Sequence, residues 1–218
     1  MAMLRKRNAC GDNWGETTML LWSAPDPAPN PRRVRLFLKA KGITLEERMV
    51  SLQAREHKSD AVVALNPRGQ VPFLELDDGR VIAETISICR YLDELHPEPP
   101  LIGTTPFERA ETDMWIRRVE TGFGTPVSLF WQHGHPYTAK LINQIPAMGE
   151  AAKVQATAML GWFDGQLAGR AWLAGERFTL ADIALLSIVD FAGWIGIALP
   201  ADASHLQDWH QRATARTA

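Results

Sequence analysis

Two short stretches carry residue types that could do chemistry. The first is Glu84-Thr85, at the start of an apolar-periodic run through Ile88, Leu92 and Leu95. A helix beginning there presents unpaired N–H groups and the positive end of its dipole, which hold a carboxylate. The neighbouring Glu84 side chain suits an ammonium. The second stretch is Gln70-Val71-Pro72, where a strand should begin. Proline is tolerated there because it removes only one ladder donor. Only X–Pro bonds readily adopt the cis form, and a cis bond at Pro72 would turn the Val71 N–H and C=O outward to an extended ligand. A site offering backbone pairing, carboxylate capture and ammonium capture suits a peptide-like zwitterion. Elsewhere, Asn30 before Pro31 reads as an ordinary N-cap followed by a first-turn proline.

The elements that must position these residues follow from pattern and punctuation. Thr18–Trp22 is an apolar run that suits a buried strand, and Ser23–Pro31 is a stiff proline-rich loop. A helix is expected over Arg32–Lys41, stopped by Gly42. A second strand spans Leu45–Leu52, with a polar loop at Gln53–Lys58 and a short helix at Ser59–Leu65. Asn66-Pro67-Arg68-Gly69 is loop chemistry. Val71, Phe73, Leu74 and Leu76 form a strand, Asp77-Asp78-Gly79 a hairpin turn, and Val81–Ala83 the return strand.

His96–Pro106 holds four prolines and no periodicity, so it divides a first domain, 18–96, from a second, 106–218. The second domain reads as all-helical, with helices over Phe107–Val119 and Glu150–Leu167 and an interrupted stretch at 120–150. In Phe178–Asp190, Thr179 caps a helix, Asp182 bonds back to it, and Phe178 and Ile183 form a staple. That makes Asp182 a folding residue rather than a catalytic one.

Composition sets the outer bounds. The chain has 218 residues, 46% apolar and 22% charged, which is ordinary for a globular protein. A net charge of −2 gives no argument for nucleic acid or an anionic membrane surface. The two cysteines, Cys10 and Cys89, make no disulfide framework and are expected reduced, in a cytoplasmic protein. No apolar run reaches membrane-spanning length, and Arg5, Lys6 and Arg7 precede no signal-like apolar run. Residues 1–17 read as a loose extension. His133 and His135 flank Gly134 without a cysteine or acidic partner at ligand spacing, so no metal is expected.

NPRGQVP, then LDDG, then ETISICRYL, in this order and spacing, resembles the glutathione-binding half of cytosolic glutathione transferases. The resemblance covers about residues 18–210. It implies a thioredoxin-like α/β N-terminal domain, ordered βαβαββα, followed by an all-α C-terminal domain. The capped helix at Phe178–Asp190 matches the family's helix-start motif in the second domain. It also implies glutathione as co-substrate, a small hydrophobic electrophile as second substrate, and a homodimer. Val71, Pro72, Glu84, Thr85 and Gln70 would then bind glutathione, and His57 and Lys58 could meet its glycine carboxylate. Trp115 and Arg118 would bind the electrophile, with Phe123, Phe130, Trp131 and His133 also falling where the family builds that pocket.

The chemistry of the family needs an ionised thiol. A free thiol of pKa about 8.5 is mostly protonated near neutral pH, and lowering it two units takes about 2.7 kcal/mol of preferential thiolate stabilisation. Many members place Tyr, Ser or Cys in the loop before the first helix. Position 28 resembles the usual serine or cysteine position, and here it is alanine. The Pro29-Asn30 element is similar to that of nu-type and related bacterial transferases, which implies Asn30 as the catalytic donor; Ser23 is a weaker candidate. Ala28 keeps two alternatives open: a glutathione-dependent disulfide reductase or peroxidase, and a non-catalytic binding protein on the same fold.

Overall fold

Strand β1, Met19–Ser23, is the central rail of a four-stranded sheet in the computed structural model, which describes residues 19–218. Thr18, Cys10 and the extension 1–17 lie outside the described residues. The sheet order is β2-β1-β3-β4, with β2 at Glu46–Met49, β3 at Phe73–Leu76 and β4 at Val81–Ala83. β1 runs parallel to β2 and antiparallel to β3, in a register pairing Leu21 with both Glu47 and Leu74. β2 is shorter than its apolar pattern suggests and all four of its residues are exposed. Charged residues on a short edge strand keep it from pairing with other chains.

Helix α1, Pro29–Lys41, starts three residues earlier than the apolar pattern predicts. Ala28, not Asn30, is its N-cap. Two prolines pre-set φ for the first turn, which draws the helix start back into the loop. At the other end Gly42 takes a φ of 66° and the Ile43 N–H reaches the Leu38 carbonyl at 2.9 Å, closing the helix in a Schellman pattern. Helix α2, Asp60–Leu65, covers one sheet face, packing Val62 with Trp22, Val50 and Phe73. Helix α3, Thr85–Leu95, covers the other with α1.

The segment between α3 and the next helix is not a free linker. Leu101 and Ile102 are buried, and the Leu101 carbonyl accepts from the Leu180 N–H at 2.8 Å. Lys41 reaches into it, donating to the carbonyls of His96 and Pro99 at 2.6 Å each.

The helical half departs from its pattern at two places: the helix expected from Glu150 begins at Pro146, and the helix α4, Pro106–Arg117, does not stop at Val119. It passes through a widened π segment, Arg118–Gly124, into α5, Thr125–His133. Pro126 cannot donate to a carbonyl four residues back, and glycines at 122 and 124 let the helix widen rather than break. Helices α6, Pro146–Leu167, α7, Leu180–Trp194, and α8, Ser204–Arg216, complete this half.

Helix α7 is buried almost all round and is anchored by its capping box. Asp182 accepts from the Thr179 N–H and the Leu173 N–H at 3.0 Å each, from the Thr179 hydroxyl at 3.1 Å and from Trp209 Nε1 at 3.0 Å. The Phe178 ring meets Trp172 edge-on at 4.8 Å. One apolar core runs from Leu21, Phe37 and Leu74 through Ile88 to Ile116, Leu160 and Leu185. The two halves therefore pack as one body, and α1 lies against α7.

Candidate functional site

A cleft of about 800 Å³ opens between the sheet half and the helical half. Its floor is the N-terminus of α1, the turn before β3 and the N-terminus of α3. Asn30, Gln70, Val71, Pro72, Glu84 and Thr85 all line it. The Val71–Pro72 peptide is cis, and Val71 lies two residues before the first ladder pairs of β3.

Local chemistry explains the shape of this floor. Asn66 clamps its loop by donating from Nδ2 to the Gln70 carbonyl at 2.8 Å and accepting from the Arg68 N–H at 3.3 Å. Glu84 is exposed and takes a φ of +67° at the cap of α3. A non-glycine residue held there costs roughly 1–3 kcal/mol, and such strain collects at ligand sites. It sends the chain into the helix so that the α3 N-terminus faces the cleft.

The α1 end is chemically sparse. Pro29 and Pro31 have no N–H, so the first turn offers the Asn30 N–H alone, together with the Asn30 side-chain amide. Ala28 contributes no side-chain cap. Ser23 is fully buried and its hydroxyl accepts from Arg35 at 2.9 Å, which removes it from the cleft.

Of the helical-half residues that the sequence assigns to an electrophile pocket, Trp131 lines the cleft. Trp115 and Arg118 do not. Trp115 is buried against Trp162, and the Arg118 guanidinium lies over the Trp115 ring at 4.7 Å. The cause is helix phase: Arg117, Glu120 and Gly124 turn to the cleft, which leaves Trp115 and Arg118 on the opposite face. Phe123 and Phe130 are core residues. His133 and His135 accept through Nδ1 from the N–H groups of Ile145 and Tyr137, both at 3.3 Å, and shape the loop after α5.

His57 reaches the cleft edge, where burial and then the nearby Lys58 and Arg55 lower its pKa, favouring the neutral imidazole. Lys58 instead donates to the Arg68 carbonyl at 3.0 Å.

Sequence reasoning missed Arg33, Glu120 and Phe191, all at the cleft. Arg33 is only 3% exposed. It donates to the Thr85 hydroxyl at 2.8 Å, to Glu120 at 3.0 Å and to the Ser187 hydroxyl at 3.3 Å. Burial lowers its pKa, and Glu120 beside it opposes that. A signal was present: Arg33, Phe37 and Lys41 share one helix stripe, and Phe37 is wholly buried. Beside it, Arg32 pairs with Asp190 at 2.6 Å, and His210 meets the same carboxylate at 2.7 Å. Phe191 meets Trp131 edge-on at 5.5 Å, Tyr137 stacks on Trp131 and Trp194 stacks on Phe191.

Among the described residues, no group of three or more His, Cys, Asp or Glu could hold a metal ion, and no helix is long and apolar enough to cross a membrane.

Comparison with known proteins fits this geometry. Residues 28–95 match the glutathione S-transferase N-terminal domain and residues 129–217 the glutathione S-transferase C-terminal domain. The chain belongs to the glutathione S-transferase family. Glutathione S-transferase 2 of Saccharomyces cerevisiae is 33% identical over 202 residues, covering 91% of this chain and 86% of that protein. The maleylacetoacetate isomerase of Pseudomonas aeruginosa is 31% identical over 180 residues, covering 78% and 79%. The crystal structure of a glutathione S-transferase domain-containing protein from Marinobacter aquaeolei VT8 superposes with a TM-score of 0.84 at 34% identity, covering 90% of this chain and 98% of that one. The architecture is that of the family: a thioredoxin-like domain followed by a helical one.

Proposed function

We propose that this glutathione S-transferase family member binds glutathione along the cleft floor and transfers its thiolate to a small hydrophobic electrophile. The observation that carries this reading is the convergence of three floor elements in one cleft: the α1 N-terminus, the cis-Pro72 turn and the Glu84-Thr85 helix start. The Val71 backbone pairs with the cysteinyl unit. The α3 N-terminus and the Thr85 hydroxyl hold the γ-glutamyl carboxylate, and Glu84 holds its ammonium. His57 and Gln70 lie toward the glycine end.

The thiolate then rests at the α1 N-terminus, where the Asn30 N–H and amide donate to sulfur. Arg32 and Arg35 add positive potential there, offset by Asp26 and Asp190. The sulfur attacks the electrophilic carbon, forming the C–S bond as the leaving group departs with its electron pair. Trp131 and Phe191 exclude water and hold the apolar body of the electrophile. The protein works as a cytoplasmic homodimer, an inference from the family, and light scattering gives the mass.

A glutathione titration by calorimetry, followed by a spectrophotometric pH titration of the bound thiol, tests this. A bound thiol pKa well below about 8.5 is expected. An unshifted pKa removes the transferase reading. Ala28 at the helix cap supports a second one, since it brings neither hydroxyl nor thiol. That reading is a glutathione-dependent reductase or peroxidase, or a binding protein without turnover. Turnover of a hydroxyethyl disulfide compared with a haloarene separates the first from transfer, and binding without any turnover identifies the second.

A further inference from the structure

The cleft floor holds one nearly inaccessible guanidinium that the glutathione reading does not use. Arg33 sits in the first turns of α1, with its guanidinium beneath the α3 N-terminus. Its Nη1 spans the two halves, bonding Thr85 on one side and Glu120 on the other, while Nε reaches Ser187 on α7. A guanidinium is a donor only. The Thr85 oxygen must therefore accept from it, and a hydroxyl that accepts has its one proton free to donate elsewhere. Among the described residues the Thr85 hydroxyl is seen only as an acceptor. Thr85 also lines the cleft, so its proton is available to an acceptor held there.

We propose that Arg33 is a positioning residue: by donating to Thr85 it points the Thr85 hydroxyl proton into the cleft, toward the ligand's γ-glutamyl carboxylate, and through Glu120 it holds that setting only when the helical half is seated. The proposal rests on the glutathione reading above and adds to it a residue that acts through Thr85 rather than on the ligand. Without Arg33 the hydroxyl can turn its proton toward Glu120 or a backbone carbonyl and present a lone pair to the carboxylate. The effect is confined to one end of the peptide. It leaves the Val71 pairing and the thiol site untouched.

A double-mutant cycle tests this by calorimetry on the full chain, with two ligands. One is glutathione. The other is 4-aminobutyryl-cysteinyl-glycine, which keeps the amine and lacks the γ-glutamyl carboxylate. Arg33→Met and Thr85→Val should each weaken glutathione about tenfold to a hundredfold, the range for hydrogen bonds to a charged group. The analogue should change by less than about threefold in either variant. The double variant should lose little more than either single one, because the two residues act in series.

Multiplying losses in the double variant would overturn the proposal, since Arg33 would then act on the ligand directly or through general loosening. Equal losses for both ligands would do the same. Should Arg33→Met fail to fold, Arg33→Gln keeps an amide donor to Thr85 and is expected to bind glutathione nearly normally; full loss there counts against the role. Failure of the unaltered protein to bind glutathione would overturn the parent reading, whereas binding without coupling would overturn only the role of Arg33.

Discussion

The two sides of the cleft are built by different means. The floor comes from runs of neighbouring residues, Ala28–Pro31, Gln70–Pro72 and Ala83–Ser87, and it presents mainly backbone groups and helix ends. The helical wall comes from side chains spaced along helices, among them Glu120, Val127 and Trp131 within 117–131 and Ile188 and Phe191 on α7. A floor of that kind suits a ligand with peptide groups and charged ends, whose recognition needs fixed donors and acceptors. A wall of side chains suits a partner recognised by shape and apolarity, and it can change without disturbing the floor.

The largest expected effect strikes the wall's foundation. Asp182→Ala removes the acceptor for four buried bonds at the base of α7, the helix that carries Ile188 and Phe191. Unsatisfied buried donors cost about 1–3 kcal/mol each before relaxation, so urea unfolding should show a loss of roughly 3–5 kcal/mol. The folded fraction should keep its glutathione affinity. A loss under about 1 kcal/mol would mean that the capping network does not hold the wall in place.

The next pair of substitutions divides the two sides directly. Glu84→Ala should weaken glutathione by about 2 kcal/mol, close to thirtyfold, through loss of a charge-assisted bond. Trp131→Ala should leave that affinity unchanged and raise KM for an aromatic electrophile by roughly fivefold to tenfold, about what one aromatic contact is worth. If calorimetry finds glutathione weakened equally by both, the floor and wall are one site and the distinction fails.

The same division explains what could be read in the sequence. NPRGQVP and ETISICRYL are local: proline, glycine and a helix start fix the backbone wherever the rest of the chain goes. The Thr179–Asp182 capping box is local too. Trp115 and Arg118 were assigned to the cleft and face away from it, because a π segment and the helix phase decide which side of Pro106–His133 meets the sheet half. Nothing in the spacing of the aromatic residues encodes that phase. Arg33 and Glu120 come together only through packing of α1 against the helical half, so neither residue alone announces the bond. The early start of α1 has a different cause: the paired prolines that the pattern assigns to a loop form its first turn.

Acid should loosen the contact between floor and wall. Burial works to raise the Asp190 carboxyl, but bonds from His210 and Arg32 outweigh it and hold its pKa below the ordinary value. A depressed carboxyl contributes stability that is complete above the unfolded pKa, about 4, and disappears as pH falls through the folded value. Asp190→Asn should therefore cost about 1–2 kcal/mol at neutral pH, as a partly buried charge-assisted bond does. In thermal melts the gap between the two proteins should close as pH drops below about 4. A gap that persists in acid would mean Asp190 acts by packing rather than by charge.

The smallest expected effect asks most of the comparison. Asn30→Ala removes the side-chain amide and keeps the backbone N–H, the dipole of α1 and the nearby arginines. If the floor works through backbone, the bound thiol pKa should rise by no more than about one unit, worth roughly 1.4 kcal/mol or less. Glutathione affinity below that pKa should hold, because the peptide's ends are bound elsewhere. A rise of about two units would account for the whole activation that this chemistry needs. It would place catalysis on a single side chain, and the floor would then be as vulnerable to one substitution as the wall.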